Sequence, residues 1–415
     1  MLDIPCVSRI LLTGTHRDDL DLPTLAHFLL LKGSFTRDAP FASLGDELED
    51  TLSPLILRRL QKNVVTTAVA KWDKTDVVEL EPKQRKLYER LIQAYKARHR
   101  SGPCTRRTGE QPKDGLKERE RVFKELRKAA NHPMLLRQNS YTPEIIEKVV
   151  DFAFAQDVYG AQARREQVFD EVNSLSDIQL HVLCSEFEEL NKYAIPRRTI
   201  CGESAKLRRL RQLLPSLRRE GHRMLVYSQW SDMLDILEEL CLELNMDYQR
   251  LDGRTPVAER QQLIDDFNND DAMPIFLLST RIGVGINLTG ADTVIFHDVD
   301  VNPQNDHQAE SRCYRIGQTR TVTVYKMFAE DTVDAKIADI AARIETRQQI
   351  RSSEMELDGA AAASSGAESD EQVRVDVPRL LQRLHLTRRL LVAQVVWKDV
   401  VAEALAGLGL FTDEA

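Results

Sequence analysis

Short apolar segments alternate with amphipathic ones between residues 204 and 348, and this alternation constrains the fold more than any other feature of the sequence. The predicted strands are Met224–Ser228, Tyr248–Leu251, Ile275–Ser279, Val294–His297 and Thr321–Met327. The predicted helices are Trp230–Leu244, Pro256–Asn268, Asn305–Arg312 and Thr332–Arg347. Short strands separated by helices indicate βαβ units, so we predict an α/β domain with a parallel sheet flanked by helices.

The segments on either side of this region differ from it in composition. Residues 36–200 are mostly helical by pattern, and a stretch rich in Gly, Pro, Thr and charge at Ser101–Gly115 predicts a mobile loop. Residues 351–377 combine small residues with an acidic run, which is typical of a low-complexity linker. Residues 378–415 regain apolar spacing. We therefore expect a helical segment before the sheet, and a linker and a helical tail after it.

The overall composition is that of a globular protein. The 415 residues are 42% hydrophobic and 29% charged, with a mean hydropathy of -0.37, which excludes collagen-like and fully disordered chains. The longest apolar runs are too short for a membrane helix and no secretory leader is visible, so we expect no membrane partner. The six cysteines form neither a C-x-x-C pair nor a zinc-spaced cluster. This predicts reduced thiols in a cytosolic or nuclear protein, and no metal site.

Charge is unevenly distributed along the chain. The net charge of -8 argues against a nucleic-acid binder when the chain is taken as a whole. Residues 83–137, however, carry 17 Lys/Arg against 6 Asp/Glu, a local charge of +11. Residues 139–192 carry 4 against 11, a local charge of -7. A basic face beside an acidic insertion is therefore compatible with a polyanionic partner.

The most specific motif is the string from Gln308 to Gln318, which contains Arg312 and Arg315. The spacing predicts both arginines on one helical face, with Gln308 four residues before Arg312. A planar guanidinium group suits a phosphoryl group that develops charge during transfer. For a bare R-x-x-R pair, two solvated arginines on an exposed helix would be the better interpretation. The complete string Q-x-x-x-R-x-x-R-I-G-Q favours the phosphoryl site.

A glycine-containing loop follows the predicted strand that ends at Ser279. Gly283 and Gly285 allow the backbone to approach a phosphate or a ribose closely, and Asn287 follows them. A lone G-x-G is equally consistent with an ordinary turn between a strand and a helix. Its place shortly before the arginine motif makes it a candidate for nucleotide binding.

Polar side chains also stand where several of the predicted strands end. Ser228 and Gln229 close one strand, Arg254 follows the next, and Thr280 and Arg281 follow a third. In a parallel sheet the carboxyl ends of the strands meet at one edge. Hydroxyl, amide and guanidinium groups at that edge are suitable contacts for a nucleic-acid backbone.

The order of these motifs closely resembles the second RecA-like lobe of SWI/SNF-type chromatin-remodelling ATPases, of helicase superfamily two. The resemblance covers about residues 7–348. The matching strings are Leu11–Thr15, Leu57–Arg59, Glu81–Tyr88, Leu126–Pro133, Ser228–Gln229, Leu251–Gly253, Ser279–Leu288, Asp300–Asn305 and Gln308–Gln318. Three further strings resemble most closely the SMARCAD (Fun-thirty-like) subfamily. They are Asn131–Gln138, Leu175–Cys184 and His297–Pro303.

This resemblance implies a domain map. Residues 1–35 would be a remnant of the end of helicase lobe one. Residues 36–200 would be the helical inter-lobe segment, with its basic loop and acidic insertion. Residues 201–350 would be the RecA-like C-terminal lobe, followed by the linker at 351–377 and the helical tail at 378–415.

The resemblance also implies roles and ligands. Arg312 and Arg315 would stabilise charge on the γ-phosphate of ATP, with Gln308 positioning them. Gly283, Gly285 and Asn287 would approach the nucleotide, while the polar residues at the strand ends would contact the DNA backbone. The implied cofactors are ATP and Mg²⁺, bound mainly by lobe one. The implied partners are double-stranded DNA, nucleosomes and a first lobe in cis or in trans, in the nucleus.

Several departures from the family pattern bear on activity. The chain contains no G-K-[ST] string and no Asp-Glu-x-His box, so we expect that it does not hydrolyse ATP by itself. The glycine loop is one residue short, because Ile282 stands where the family has a second glycine. Val301 stands where many members carry Trp.

Three alternative interpretations stay open. The chain could be a truncated gene product of a longer remodeller, which its start near a motif boundary favours. It could instead be a non-catalytic module that binds DNA or chromatin. An RNA helicase lobe is a weaker alternative, because the Arg-Ile-Gly-Gln ending and the Asn131–Pro133 string argue against it.

Overall fold

The computed structural model describes residues 69–100, 113–138, 140–280, 282, 286–346, 401–408 and 410. The expected remnant of lobe one, the expected linker and most of the expected tail lie outside these residues. Their boundaries stay predictions.

Six parallel strands form one sheet in the described part of the chain. The strands are β1 (Lys71–Val78), β2 (Met224–Ser228), β3 (Tyr248–Leu251), β4 (Ile275–Ser279), β5 (Thr293–Phe296) and β6 (Val322–Ala329). Their order across the sheet is β1-β6-β5-β2-β4-β3, and every neighbouring pair is parallel. The predicted α/β class, a RecA-like parallel sheet flanked by helices, is confirmed.

The central strands form where the sequence predicts them because their side chains are apolar on both faces. Every residue of β2, β4 and β5 is buried. A parallel strand covered by helices on both sides is a continuous apolar run rather than an alternating one. The predicted bounds of β2, β3 and β4 match the structure, and β5 and β6 differ from their predicted bounds by one or two residues.

Helices occupy most of the remaining described residues. They are α1 (Pro82–Arg100), α2 (Lys113–Asn131), α3 (Pro143–Ala155), α4 (Arg165–Ser174), α5 (Asp177–Glu186), α6 (Arg197–Gly202), α7 (Ala205–Arg219), α8 (Ser231–Glu243), α9 (Val257–Asn269) and α10 (Pro303–Glu310). Two further helices, α11 and α12, cover 333–346 and 401–406. Single 3₁₀ turns lie at Pro133–Leu135 and Asn191–Tyr193.

Strand β1 departs from the helical pattern predicted for this part of the chain. It pairs in parallel with β6 along all eight of its residues. Five of its eight side chains are polar and none is fully buried, so neither an apolar run nor an alternation indicates a strand. The chain is held there by distant partners: Lys71 binds Glu310 at 2.5 Å, and Asp76 accepts two hydrogen bonds from Arg209.

The helical segment before the sheet packs in two places. Met134, Ile178 and Ile200 join the core beneath β2, β4, α7 and α8. A second, smaller core unites α3, α4 and α5 around Val149 and Val172. The acidic insertion is therefore a packed helical unit with an apolar interior, and its carboxylates are exposed except that of Asp177, which is buried.

Candidate functional site

The polar residues predicted at the strand ends lie at one edge of the sheet. Strands β3, β4, β2 and β5 are neighbours in that order, so the loops that follow them are adjacent. The Thr280 N–H donates to the carbonyl of Ser228 across 3.2 Å, which joins two of these loops directly. The parallel topology therefore produces the convergence that the sequence predicts.

The two arginines of the long motif do not lie on a continuous helix. Helix α10 ends at Glu310, whereas the sequence predicts that it extends to Arg312. Beyond its end, the Arg312 N–H donates to the Ala309 carbonyl and the Gln318 N–H donates to the Arg315 carbonyl. We call residues 311–318 the arginine turn. The predicted shared helical face is wrong, because tight turns replace the helix there.

The arginine turn is joined to the end of the glycine loop. The Leu288 N–H donates to the Arg312 carbonyl at 3.0 Å, and the Cys313 thiol lies 3.0 Å from the Ala291 carbonyl. Asn287 is exposed, and its carbonyl accepts a hydrogen bond from the Asn268 side chain at 2.8 Å. The structure thus brings two separately predicted motifs together.

Three of the predicted residues of this region lie outside the described residues. They are Arg281, Gly283 and Gly285. Their expected contacts with DNA or nucleotide stay predictions.

Gln318 holds the arginine turn in place, a role that the sequence does not single out. Its amide nitrogen donates to the Ala291 carbonyl at 2.7 Å, and its amide oxygen accepts from the N–H groups of Thr319 and Arg320 at 2.9 Å. The only signal in the sequence is its place as the last letter of the motif. No hydrogen bond joins the Gln308 side chain to either arginine among the described residues, so the positioning role expected of Gln308 stays a prediction.

Arg312 is partly buried and has an unused donor. Its Nε is buried and has no hydrogen-bond partner among the described residues. Burial lowers the pKa of Arg312, while Tyr227 raises it and the like charge of Arg315 lowers it further. A buried guanidinium N–H without an acceptor is costly unless a ligand supplies one. Together with the exposed Arg315, this side chain can receive an anion.

Ser228 is placed differently from its predicted role. Its side chain is fully buried, and its hydroxyl donates to Asp298 Oδ2 while accepting from the Trp230 N–H at 3.2 Å. Burial opposes ionisation of Asp298, but the adjacent His297 ring, 3.8 Å away, and the hydrogen bond from Ser228 hold the pKa of this carboxyl below its usual value. Ser228 therefore braces the loop from inside, and the predicted direct contact with DNA is corrected.

Gln229 and Thr280 lie beside Ser228 but are partly accessible. The Gln229 amide nitrogen donates to the Val299 carbonyl at 2.7 Å, and its oxygen accepts from Arg127 at 3.3 Å. The Thr280 hydroxyl oxygen is buried and has no hydrogen-bond partner among the described residues. The Gln229 amide therefore keeps one N–H for a ligand, whereas the Thr280 hydroxyl would have to become exposed to reach one.

Arg254 stands on a tight turn after β3. The buried Asp252 accepts the Arg254 N–H at 2.9 Å and also binds Arg250, which fixes the turn. The Arg254 side chain is 55% exposed and lies 3.0 Å from Asp235. A phosphate contact at Arg254 would therefore have to compete with this carboxylate.

Neither a metal cluster nor a membrane span is found in the part of the chain that the structure describes. No three His, Cys, Asp or Glu side chains there are arranged to hold a metal ion. None of the helices described is long and apolar enough to cross a bilayer.

Comparison with known proteins agrees with this geometry. Residues 205–317 match the family model for the helicase conserved C-terminal domain. The crystal structure of the C-terminal part of the Fun30 ATPase domain superposes with a TM-score of 0.59 and 33% identity, covering 66% of this chain and 90% of that one. The sheet and the arginine turn thus define the C-terminal lobe of a helicase-type domain.

Two curated relatives narrow the class. The chain is 38% identical to Protein CHROMATIN REMODELING 19 of Arabidopsis thaliana over 81% of this chain and 46% of the relative. It is 34% identical, over 82% of this chain and 34% of the relative, to a Mus musculus protein. That protein is the SWI/SNF-related matrix-associated actin-dependent regulator of chromatin subfamily A containing DEAD/H box 1.

The chain belongs to the SWI/SNF-type family of chromatin-remodelling ATPases, as its sequence motifs predict. It spans less than half the length of these two relatives. The described part corresponds to the C-terminal part of the family's ATPase domain.

Proposed function

We propose that this chain is the second lobe of an ATP-dependent motor that translocates along double-stranded DNA and remodels nucleosomes. One observation carries the proposal. The hydrogen bond between Leu288 N–H and the Arg312 carbonyl joins the end of the glycine loop to the arginine turn, where the buried Nε of Arg312 has no acceptor among the described residues. A cation with an unused donor beside a glycine loop suits an anionic phosphate.

In the proposed motor, Arg312 and Arg315 stabilise the charge that develops on the γ-phosphate. Bound ATP supplies the phosphoryl group, which a first lobe, in cis or in trans, presents across the cleft. Gln308 positions these two arginines, while Gly283, Gly285 and Asn287 approach the nucleotide from this side. We assign no step on this chain to Mg²⁺, which the resemblance to the family places mainly on the first lobe.

The proposed DNA contacts are Gln229, Arg254, Thr280 and Arg281. The Gln229 amide keeps one unused N–H and Arg254 is exposed, whereas the unpaired Thr280 hydroxyl is buried and would have to become exposed on binding. Contacts of this kind bind the backbone without reading the sequence, and their strength falls as salt rises. Because the curated relatives are named for chromatin remodelling, we place the protein in the nucleus.

Reconstituted ATP hydrolysis tests the proposal. The chain is mixed with a separately expressed first lobe of a SWI/SNF-type relative, and the DNA-stimulated rate is measured. We expect stimulation, and a loss of about 10³-fold or more for Arg312→Ala or Arg315→Ala, the range of an arginine finger. Arg218→Ala is the matched control, since this exposed arginine lies before β2 at the opposite edge of the sheet.

Other outcomes identify the alternatives. An absence of stimulation, with DNA binding that both arginine substitutions leave unchanged, would make the chain a non-catalytic module that binds DNA or chromatin. Tighter binding to structured RNA than to duplex DNA at matched salt would indicate an RNA helicase lobe. An immunoblot of nuclear extract separates a cis from a trans first lobe, because a cis lobe places the band well above 47.4 kDa.

A further inference from the structure

A buried arginine of the helical segment reaches the loop that is proposed to contact DNA. Arg127 of α2 is 3% exposed, and its guanidinium lies between Gln229, which follows β2, and Val299, which follows β5. We propose that Arg127 is a positioning residue that fixes the orientation of the Gln229 amide for DNA binding. This inference rests on the proposed DNA contact of the lobe.

The three groups form a closed set of hydrogen bonds. Arg127 Nη2 donates to the Val299 carbonyl at 2.7 Å, and Nη1 donates to Gln229 Oε1 at 3.3 Å. The Gln229 Nε2 donates to the same Val299 carbonyl at 2.7 Å. Both ends of the Gln229 amide are therefore held.

The chemistry of the partners determines which way the amide is turned. A guanidinium only donates hydrogen bonds, and a backbone carbonyl only accepts them. The Gln229 oxygen must therefore face Arg127, and its nitrogen must face Val299. An amide nitrogen carries two N–H groups, and the described contacts use one. The second belongs to a half-buried side chain and can donate to a phosphate oxygen.

The backbone of this loop is held without Arg127. Asp298 accepts the Gln229 N–H at 3.0 Å and the Ser228 hydroxyl through its other oxygen. Loss of Arg127 would therefore release the Gln229 side chain while the loop backbone keeps its own anchor. The Gln229 amide oxygen accepts one hydrogen bond from the described residues, and Arg127 donates it.

Further contacts fix helix α2 against the sheet, and they thereby fix the position of Arg127. The Lys128 ammonium lies 5.5 Å from the centre of the Trp230 ring, a second contact between α2 and the same loop. One turn later, Asn131 accepts from the buried Lys206 at 2.7 Å and from Ser204 at 2.7 Å. The position of Gln229 thus depends on the helical segment as well as on the sheet.

The experiment uses the full chain and has two readouts. In the absence of DNA, the side-chain amide of Gln229 is followed by NMR of ¹⁵N-labelled protein. The affinity for a fluorescent DNA duplex is then measured by anisotropy at fixed salt, for wild type, Arg127→Gln, Gln229→Ala and the double variant. Arg121→Gln is the matched control, because this arginine of the same helix is 53% exposed and its ion pairs are on the surface.

We expect Arg127→Gln to collapse the Gln229 amide resonances towards random-coil positions and to weaken DNA binding about five- to tenfold, the value of one hydrogen bond. The double variant should bind no more weakly than Gln229→Ala. Arg127→Lys should restore little, because an ammonium does not provide a planar fork. Arg121→Gln should leave the resonances unchanged.

Each contrary result has a separate meaning. Unchanged Gln229 resonances in Arg127→Gln, or losses of affinity that multiply in the double variant, would overturn the positioning role. Collapsed resonances with unchanged affinity would also overturn it, while leaving DNA binding by the lobe in place. Failure of the wild-type chain to bind the duplex at low salt would instead overturn the proposed DNA contact itself. Urea unfolding of each variant checks that it is folded.

Discussion

Gly317 shows how one residue shapes the arginine turn. Its φ angle is +101°, a conformation that residues with a Cβ rarely adopt, and no atom lies within 4 Å of the place where a Cβ would stand. Conformation rather than space therefore requires glycine there. The turn between the arginines and Gln318 depends on this position.

We predict that Gly317→Ala lowers the free energy of unfolding by about 1–2 kcal/mol, the cost of a left-handed conformation for an ordinary residue. Urea unfolding measures it. Gly202→Ala is the control, because Gly202 has no positive φ angle and equal space around it, and alanine there should be neutral or slightly stabilising. Equal effects at the two positions would contradict the conformational explanation.

His132 shows how burial sets a protonation state. Its Nδ1 accepts from the Met134 N–H at 3.1 Å, and its Nε2 donates to the Ile200 carbonyl at 2.9 Å. This arrangement requires the neutral ring, because protonated Nδ1 would face another donor. Burial lowers the pKa of His132 from 6.5 to about 4 despite the hydrogen bond to Ile200, and His297 lowers it further.

We predict that the protein loses stability as the pH falls from about 6.5 towards 4. The unfolded state binds more protons than the folded state in this range, so the stability is fully present above pH 6.5. A pKa lowered from 6.5 to about 4 corresponds to roughly 3 kcal/mol of the free energy of unfolding, which is lost when the pH has fallen below 4. Urea unfolding at pH 7, 6 and 5 should give a shallower pH dependence for His132→Gln than for wild type. If stability changes equally with pH in both proteins, the neutral state of His132 is not the cause of the acid sensitivity. A smaller pH dependence should persist in His132→Gln, because burial also lowers the pKa of His297.

At the scale of elements, Lys206 connects the helical segment to the sheet. This fully buried lysine of α7 donates to Asp334 at 2.6 Å, to Asn131 of α2 at 2.7 Å and to the His297 carbonyl at 2.9 Å. Four parts of the chain therefore meet at one ammonium group. Its hydrogen bonds compensate the cost of burying the charge.

We predict that Lys206→Met destabilises the protein by about 3–5 kcal/mol, because it leaves the carboxylate of Asp334 buried without a partner. Arg208→Met on the same helix is the control. Arg208 is 54% exposed and pairs with Glu81 at the surface, so its loss should cost less than about 1 kcal/mol. Comparable losses in the free energy of unfolding for the two variants, measured in urea, would contradict the stabilising role of the buried Lys206.

Strand β1 and strand β4 illustrate what local sequence can predict. All five residues of β4 are buried, so an apolar run identifies the strand directly. Strand β1 has exposed, charged residues, and it forms because β6 supplies a ladder and Arg209 binds Asp76. Its strand state thus depends on residues far away in sequence, which no local pattern contains.

At the scale of the whole molecule, the helical segment and the sheet share one core. Met134 and Ile178 from the segment pack with Met224 and Ile275 from the sheet. Helices α1 and α2 are linked at the end near 101–112 by Arg98 and Glu118, 2.8 Å apart. If the chain is cleaved between α1 and α2, the shared core and the pairing of β1 with β6 should therefore hold the two fragments together.

We predict that trypsin first cuts within Ser101–Gly115, at Arg106 or Arg107, as the composition of that stretch indicates. Residues 101–112 lie outside the described residues. The two fragments should stay together on native gel filtration, because β1 remains paired with β6. Denaturing gels and mass spectrometry identify the cut. Fragments that separate, or an earlier cut within the sheet, would contradict this domain map.

Local sequence patterns were enough to predict five of the six strands of the parallel sheet, the convergence of motifs at its carboxyl edge and the family. Apolar runs and motif strings are local, and a parallel sheet needs little more than such runs separated by helices. Other features appear only in the folded chain: β1 joins the sheet, Ser228 is buried, the arginines lie on a turn that Gln318 holds, and Arg127 reaches Gln229. Each of these features depends on hydrogen-bond partners that are distant in sequence and become neighbours only when the chain has folded.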